Sequence, residues 1–391
     1  MRMDRPILPP ELSDTVIDFL HADVPSLAAC GLVCRAWAPA SRYHLYAAIF
    51  LTPSNVAAFD SILFRAPGLA FVVREVQIRF ADSTVGELVR VLGRLPRTTR
   101  VAFRPTKDEV SRRLTAALLA PIVGCGAGPG RLDIRHMAFD FKSRFDSLRQ
   151  VVDLVCLCPN LMSLELGGSW LRMGEATPDA PSPLTGWYLP STLRTLTLTC
   201  DLDYLLQWLL QLQDGGPPIS TLILHHIVRR EVPAIAAYLA HAGATLTSLA
   251  LMFRDNDAPG RLATRVDLAL NPNLRSLALE GTAPNILACL LNVRVLPRVR
   301  KLEGLELTLR HAVYYPDAMR VMEDYPWALL DRALSASASG DWEGDSEGSG
   351  VRLRSVRITV VDSLTRHELA HVRDWVWGRL PRAREMYCSS V

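Results

Sequence analysis

The segment LTSLAL at residues 246–251 is followed 28 residues later by LRSLAL at residues 274–279. Both copies have three apolar residues, the first two separated by two residues and the last two by one. Further copies lie on both sides, and the middle apolar residues of neighbouring copies are mostly 25 to 32 residues apart. The others are Val73-Val76-Ile78, a degenerate copy at Val101 and Phe103, Ile134-Met137-Phe139, Leu161-Leu164-Leu166, Leu193-Leu196-Leu198, Ile219-Leu222-Leu224, Leu302-Leu305-Leu307 and Leu353-Val356-Ile358.

Repeats of this length with an L-x-x-L-x-L pattern are typical of leucine-rich solenoids, in which each unit buries its apolar edge by stacking on its neighbours. Between the copies, apolar residues recur every three to four positions, which predicts helices. We therefore predict an α/β fold whose residues 73–391 form an irregular leucine-rich-repeat solenoid, with parallel strands on the concave side and helices on the convex side. A doubly wound sheet also alternates strands and helices, but it does not predict that the strands share an L-x-x-L-x-L pattern.

The longest interval between copies contains the acidic, Gly- and Ser-rich sequence SASASGDWEGDSEGSG at residues 335–350. Its composition predicts a disordered loop, because it has too little apolar surface to bury. Another long interval contains GCGAGPG at residues 124–130, which lacks the Lys-Ser/Thr of a phosphate-binding loop. Residues 52–72 are predicted to form a helical linker or cap in front of the repeats.

The N-terminal sequence ILPPELSDTVIDFLHADVPSLAACGLVCRAWAPASRYHLYAAIFL, residues 7–51, carries apolar residues at helical spacing in three short groups. Prolines near the start of each group predict three separate helices. Three helices of two to three turns bury too little surface to form an independent domain. Another part of the chain, or another polypeptide, must therefore cover them.

The ordered residues of this segment resemble an F-box, the module by which substrate receptors of SCF-type ubiquitin ligases bind the Skp-type adaptor. The matching residues are Leu8-Pro9, Glu11-Leu12, Ile17, Leu20, Leu27, the run Leu32-Val33-Cys34-Arg35, Trp37 and Leu45-Tyr46. Tyr46 stands where the family often has Trp or Phe. The resemblance implies that residues 1–51 are an F-box, and that the adaptor contacts are Leu8, Pro9, Leu12, Ile17, Leu20, Leu27, Leu32, Val33, Cys34, Trp37 and Leu45.

The same segment can also be interpreted as a helical cap on the end of the repeat domain. The F-box interpretation predicts partial exposure, in the isolated chain, of Leu8, Pro9, Leu12, Ile17, Leu27 and Leu32. The cap interpretation predicts that the chain's own residues bury these side chains.

The amino-acid composition limits which partners and which cellular compartment we expect. A net charge of +3 over 391 residues gives no electrostatic reason to expect nucleic acid or a membrane as a partner. The 8 cysteines are scattered among apolar neighbours, as expected of free thiols in a reducing compartment. Neither a signal peptide nor a membrane span is predicted. We expect a cytoplasmic or nuclear protein without a metal or other cofactor.

The sequence His367-Glu368-Leu369-Ala370-His371 matches the H-E-x-x-H pattern of zinc proteases. Where one such family has a glycine and a third histidine ligand, this sequence has Asp374 and Trp377, and arginines flank the motif. We interpret these residues as the polar face of a helix in the last repeat, and we expect no enzyme activity.

Residues that alternate with the strand leucines are predicted to point to the concave face. Six of the charged and imidazole side chains among them are our candidates for contacts with a protein substrate: Arg79, Arg104, His136, Asp140, Glu165 and His225. The predicted function is a non-catalytic substrate receptor that binds the Skp-type adaptor and, through it, a cullin-RING ligase. The alternative is a structural interaction scaffold that acts outside ubiquitination.

Overall fold

The computed structural model describes residues 9–80, 84–105, 132–141, 148–168, 189–199, 202–212, 216–282, 286, 289–290, 301–310, 323, 327–339, 353–361 and 374–388. This part of the chain is α/β and contains eleven strands, which within each unit pair in parallel with their neighbours in sequence. The chain divides into two compact units. Residues 1–162 and 168–176 form the first unit, and residues 163–167 and 177–391 form the second.

The first unit begins with three helices, α1 (Pro10–Phe19), α2 (Val24–Val33) and α3 (Ala38–Ala47). Each has a proline in its first turn, where the missing N–H costs no hydrogen bond. Asp23 caps α2, since its carboxylate accepts the Ser26 N–H at 3.2 Å. α2 packs on α3 at a point where both carry small residues, and a Cβ atom on Gly31 would lie 3.5 Å from Cβ of Ser41.

Four strands follow in the first unit: β1 (Ala48–Leu51), β2 (Glu75–Phe80), β3 (Arg100–Pro105) and β4 (His136–Phe141). The helices between and after them are α4 (Val56–Arg65), α5 (Val85–Leu92) and α6 (Leu148–Cys156). The middle apolar residues of successive copies lie opposite one another, with Val76 paired to Val101 and Val101 to Met137. The repeat alignment read from the sequence is therefore the register of the strands.

The strand β1 was not predicted, and it lies at the end of the segment that the sequence likens to an F-box. Ile49 and Leu51 pair with Val76 and Ile78, so Tyr46-Ile49-Leu51 is one more copy of the repeat. The sheet thus begins inside residues 1–51, and the predicted boundary at residue 51 does not separate the helices from the strands. α4 lies between β1 and β2 and packs on α5, so residues 52–72 belong to the repeats.

The second unit continues the same alternation. Its strands are β5 (Ser163–Gly168), β6 (Thr195–Leu198), β7 (Thr221–Ile227), β8 (Ser248–Phe253), β9 (Ser276–Thr282), β10 (Gly304–Arg310) and β11 (Ser355–Val361). Its helices are α7 (Leu202–Gln211), α8 (Val232–Ala242), α9 (Ala258–Arg265), α10 (Trp327–Ser339) and α11 (Pro381–Cys388). The middle leucines of β5 to β10 pair in register and are buried.

The predicted strand copies coincide with β2 to β11, because each copy places two or three apolar side chains in the interior. The predicted start of the acidic loop at residue 335 is wrong. The helix α10 continues to Ser339, and Ser335 is buried and donates its hydroxyl to Asp331 O at 2.6 Å. Residues 340–350, residues 124–130 and the H-E-x-x-H motif at 367–371 lie outside the described residues.

Buried polar side chains connect neighbouring repeats in the second unit. Glu231 is 4% exposed, and its carboxylate accepts the N–H of Val228 at 2.9 Å and that of Leu202 at 3.3 Å. The Asn271 amide donates to Leu239 O and Gly243 O at the end of α8. These bonds satisfy backbone groups that helix ends leave unpaired.

Among the described helices, each is too short or too polar to cross a lipid bilayer.

Candidate functional site

The helix α1 presents three large apolar side chains to solvent. Leu12, Val16 and Phe19 are 54%, 51% and 81% exposed, whereas Ser13 and Ile17 on the opposite side are buried. Residues spaced i, i+4 and i+7 share one side of a helix, so the three exposed side chains form a stripe. Large apolar side chains that are exposed together are typical of a surface that binds a partner.

The helix α2 shows the same division. Leu27 is fully buried, whereas Val24, Leu32 and Val33 are 61%, 88% and 63% exposed. We refer to the six exposed side chains of α1 and α2, Leu12, Val16, Phe19, Val24, Leu32 and Val33, as the N-terminal apolar set.

The residues predicted to contact the adaptor fall into three classes. Pro9, Leu12, Leu32, Val33 and Cys34 are exposed, and Leu20, Trp37 and Leu45 are half-buried. The expectation of exposure is wrong for Ile17 and Leu27, which are 0% exposed because a three-helix module needs an interior of its own. Leu8 lies outside the described residues.

The prediction missed Val16, Phe19 and Val24 as exposed positions. The signal was present in the sequence, because Val16 and Phe19 follow Leu12 at helical spacing. Helical spacing groups residues on one side, however, and it does not tell which side the rest of the chain covers.

A side-chain contact between α1 and α3 fixes which side of α1 faces outward. His44 Nε2 lies 2.6 Å from Asp18 Oδ1. The His44 ring also meets the Tyr43 ring edge-on, with the ring centroids 5.3 Å apart. Asp18 stands between the buried Ile17 and the exposed Phe19, so this contact restricts rotation of α1 about its axis.

The strand residues of the first unit form a polar surface, which we call the first strand face. Its described side chains belong to residues 75, 77, 79, 100, 102, 104, 136 and 138. Arg100 pairs with Glu75 at 3.2 Å, and Gln77 Nε2 donates to Glu75 Oε1 at 3.1 Å. Asp140 stands on β4, and its side chain lies outside the described part of the chain.

Two of the predicted substrate contacts lie side by side on this face. Arg79 and Arg104 occupy directly paired positions of β2 and β3, and both are exposed. The Arg79 guanidinium lies over the Phe50 ring, 5.0 Å from its centroid, which orients the charge through a cation–π contact. Within the described residues, neither guanidinium pairs with a carboxylate.

His136 lies directly opposite Arg100 in the strand pairing, next to the ion pair of Arg100 with Glu75. Burial lowers the pKa of His136, and the positive charges of Arg100 and Arg135 lower it further against the opposing effect of Glu75. The pKa of the His136 ring therefore lies below its ordinary value, mainly because the ring is partly buried.

The second unit carries Glu165 on β5 and His225 on β7, which we place with Glu280 and Arg310 on the second strand face. Glu280 and Arg310 form an ion pair across β9 and β10. Burial and the neighbouring His226 lower the pKa of His225, Glu165 and Glu280 oppose this shift, and Arg310 adds to it. Between these groups the face carries small and hydroxyl side chains such as Thr197 and Ala250, together with Ile223 and Met252.

The strand β7 is irregular next to His225. Its pairing with β8 shifts between Leu224 and Ile227, and His226 has a φ of 56°, in the left-handed region that non-glycine residues rarely adopt. The bulge places His225 and His226 at different angles, with their ring planes 73° apart.

Nothing in the described residues brings together three or more metal-binding side chains of the His, Cys, Asp and Glu types. Burial raises the pKa of Cys289 to about 12, so its thiol stays protonated and unreactive. A cavity of about 130 Å³ in the second unit is lined by residues that include Leu209, Ile219 and Tyr238. Its size suits a few water molecules better than a metabolite.

Comparison with known proteins adds no relative: no protein-family model matches the sequence, and neither does any curated protein.

Proposed function

We propose that this chain is a substrate-recognition subunit of an SCF-type E3 ubiquitin ligase. In this proposal the N-terminal apolar set binds the Skp-type adaptor, which links the chain to a cullin-RING ligase. The strand faces of the repeats hold a protein substrate for ubiquitin transfer by the associated enzyme. The chain itself performs no chemistry, and it acts in the cytoplasm or the nucleus.

The observation that carries the proposal is the exposure of large apolar side chains on α1 and α2. Burying one Leu, Val or Phe side chain stabilises an interface by about 1.5–3 kcal/mol. A helix that only capped the repeats would gain this energy by turning Leu12, Val16 and Phe19 inward. Instead α1 buries Ser13 beside Ile17 and leaves the stripe to solvent. A partner whose groove accepts an apolar helix side accounts for this orientation.

The two strand faces support the second part of the proposal, which is binding of a protein substrate. Arginine, histidine and glutamate stand among small side chains on both faces, which leaves their polar atoms accessible to a partner. Extended surfaces on repeat proteins commonly bind other proteins. The substrate contacts proposed on this basis are Arg79, Arg104, His136, Glu165 and His225, together with Asp140 from the sequence alone.

The test is co-purification of the full chain with a Skp-type adaptor, followed by calorimetric measurement of Kd. The test variant is Leu12→Asp with Leu32→Asp. Its matched control is Leu270→Asp with Leu329→Asp, since these leucines are 51% and 52% exposed in the second unit. We expect the test variant to bind at least about 100-fold more weakly, because two apolar anchors are lost and two charges are desolvated. The control should bind like the native chain.

Equal binding by both double variants would exclude the N-terminal apolar set as the adaptor site. Adaptor binding without any change in the lifetime of a captured partner would favour the scaffold alternative. Deleting residues 1–51 is a poor substitute for the point variants, because it removes β1 and exposes the edge of β2.

A further inference from the structure

The first strand face carries an excess of positive charge in its described part. Arg79, Arg100 and Arg104 stand against one described carboxylate, Glu75, which Arg100 already contacts. Arg79 and Arg104 are directly paired, which puts their backbones about 4.8 Å apart. Like charges at such positions repel one another, and a bound anion would remove this cost.

Small alanine side chains lie between the arginines at the two ends of the face. Ala102 lies between Arg100 and Arg104 on β3, and Ala138 is its paired neighbour on β4. Four residues of extended strand span about 13 Å, which is the separation of the Arg100 and Arg104 backbones. An extended peptide running along β3 would cover Ala102 and reach both arginines with side chains four positions apart.

We infer that the first strand face binds an acidic segment of a protein partner in extended conformation. One carboxylate of this segment bonds to Arg79 and Arg104, and a second carboxylate four residues away bonds to Arg100. Arginine suits this role, because its five N–H donors match carboxylate oxygens in pairs. Arg100 is 54% exposed and uses one nitrogen for Glu75, so it retains donors for a ligand.

The inference deepens the proposed function by naming the chemical class of the substrate, and it can be tested without the adaptor. The probe is a fluorescein-labelled peptide with glutamates at every fourth position, GESSSESSSEG, and fluorescence anisotropy reports its binding to the full chain. The reference peptide has glutamine at the same positions. The glutamate peptide should bind at least tenfold more tightly than the glutamine peptide, and the difference should shrink as salt is raised.

The decisive variant is Arg79→Gln with Arg104→Gln. Both side chains are exposed, so the fold should survive, and thermal unfolding checks this point. The matched control is Arg65→Gln with Arg97→Gln, which removes the same charge from exposed positions outside the strands of the same unit. We expect at least a tenfold loss of affinity in the first variant and less than a twofold loss in the control. Glu75→Gln should bind the peptide more tightly, because it frees Arg100.

The inference is overturned if the glutamate peptide does not bind, or if both double variants lose affinity equally. It is also overturned if only a phosphoserine version of the peptide or single-stranded RNA binds. Because the adaptor takes no part in these measurements, a failure here leaves the adaptor experiment unaffected. Conversely, if the chain binds the peptide but not the adaptor, the adaptor proposal fails while the inference about the acidic segment stands.

Discussion

Replacing Ile17 by alanine tests which side of α1 faces the interior of the N-terminal helices. Ile17 is 0% exposed, and the change removes three carbon atoms from a closed environment. At about 0.8 kcal/mol for each buried methylene, the loss of burial alone costs about 2.4 kcal/mol. The cavity left behind brings the total cost into the range of about 2–5 kcal/mol.

The matched control is Val16→Ala, at the neighbouring position of the same helix. Val16 is 51% exposed, so truncation removes atoms that are largely in water already. The expected cost is within about 0.5 kcal/mol. The two variants differ in position by one residue, and their predicted effects on the stability of α1 differ by about 2 kcal/mol or more.

Hydrogen exchange of the full chain, followed by mass spectrometry, measures this difference locally. A loss of 2.4 kcal/mol raises the population of the open state about 50-fold, and amides of residues 10–33 should exchange faster by this factor in Ile17→Ala. Amides of strands β7 and β8, which belong to the second unit, serve as an internal reference and should be unchanged. If Val16→Ala accelerates exchange as much as Ile17→Ala, the assignment of the inner and outer sides of α1 is wrong, and the adaptor proposal loses its basis.

Three further predictions concern single side chains. Glu231→Ala should destabilise the second unit by about 1–3 kcal/mol, because two backbone N–H groups lose their acceptor. A urea unfolding midpoint equal to that of the native chain would contradict this prediction. His225 should titrate below its ordinary pKa of 6.5, so the unfolded chain binds the proton first. Stability should therefore fall as the pH drops below about 6.5, with a slope that His225→Asn reduces; an imidazole NMR midpoint at or above 6.5 would refute it. Gly31→Ala should raise the melting temperature, because alanine stabilises a helix by about 1 kcal/mol relative to glycine. The added Cβ would make an ordinary contact with Ser41. A lower melting temperature would show that α2 and α3 pack more tightly than described.

The strands were predictable because their signal is local. Each clear copy of the repeat has three buried apolar residues, and the second and third of them pair in register from β5 to β10. The strand β1 escaped prediction because Tyr46-Ile49-Leu51 adjoins the helical segment and was assigned to it.

The candidate sites were predictable only in part. The alternation of strand residues placed Arg79, Arg104 and His225 on exposed faces, since side chains of a strand point to opposite sides. The pairing of Arg79 with Arg104 needed the strand register, and the cation–π contact with Phe50 needed β1. The irregular backbone at His226 has no local signal, because it arises from the pairing of β7 with β8.

The amino-acid sequence alone determined the period of the repeats, the positions of ten strands and the three N-terminal helices, because each depends on residues that are near one another in the chain. The tertiary structure decided which side of each helix is covered. Ile17 and Leu27 became interior, while Leu12, Phe19 and Leu32 remained in solvent. Apolar spacing is the same for a side that packs within the chain and for one that awaits a partner, and only the contacts between distant segments distinguish the two.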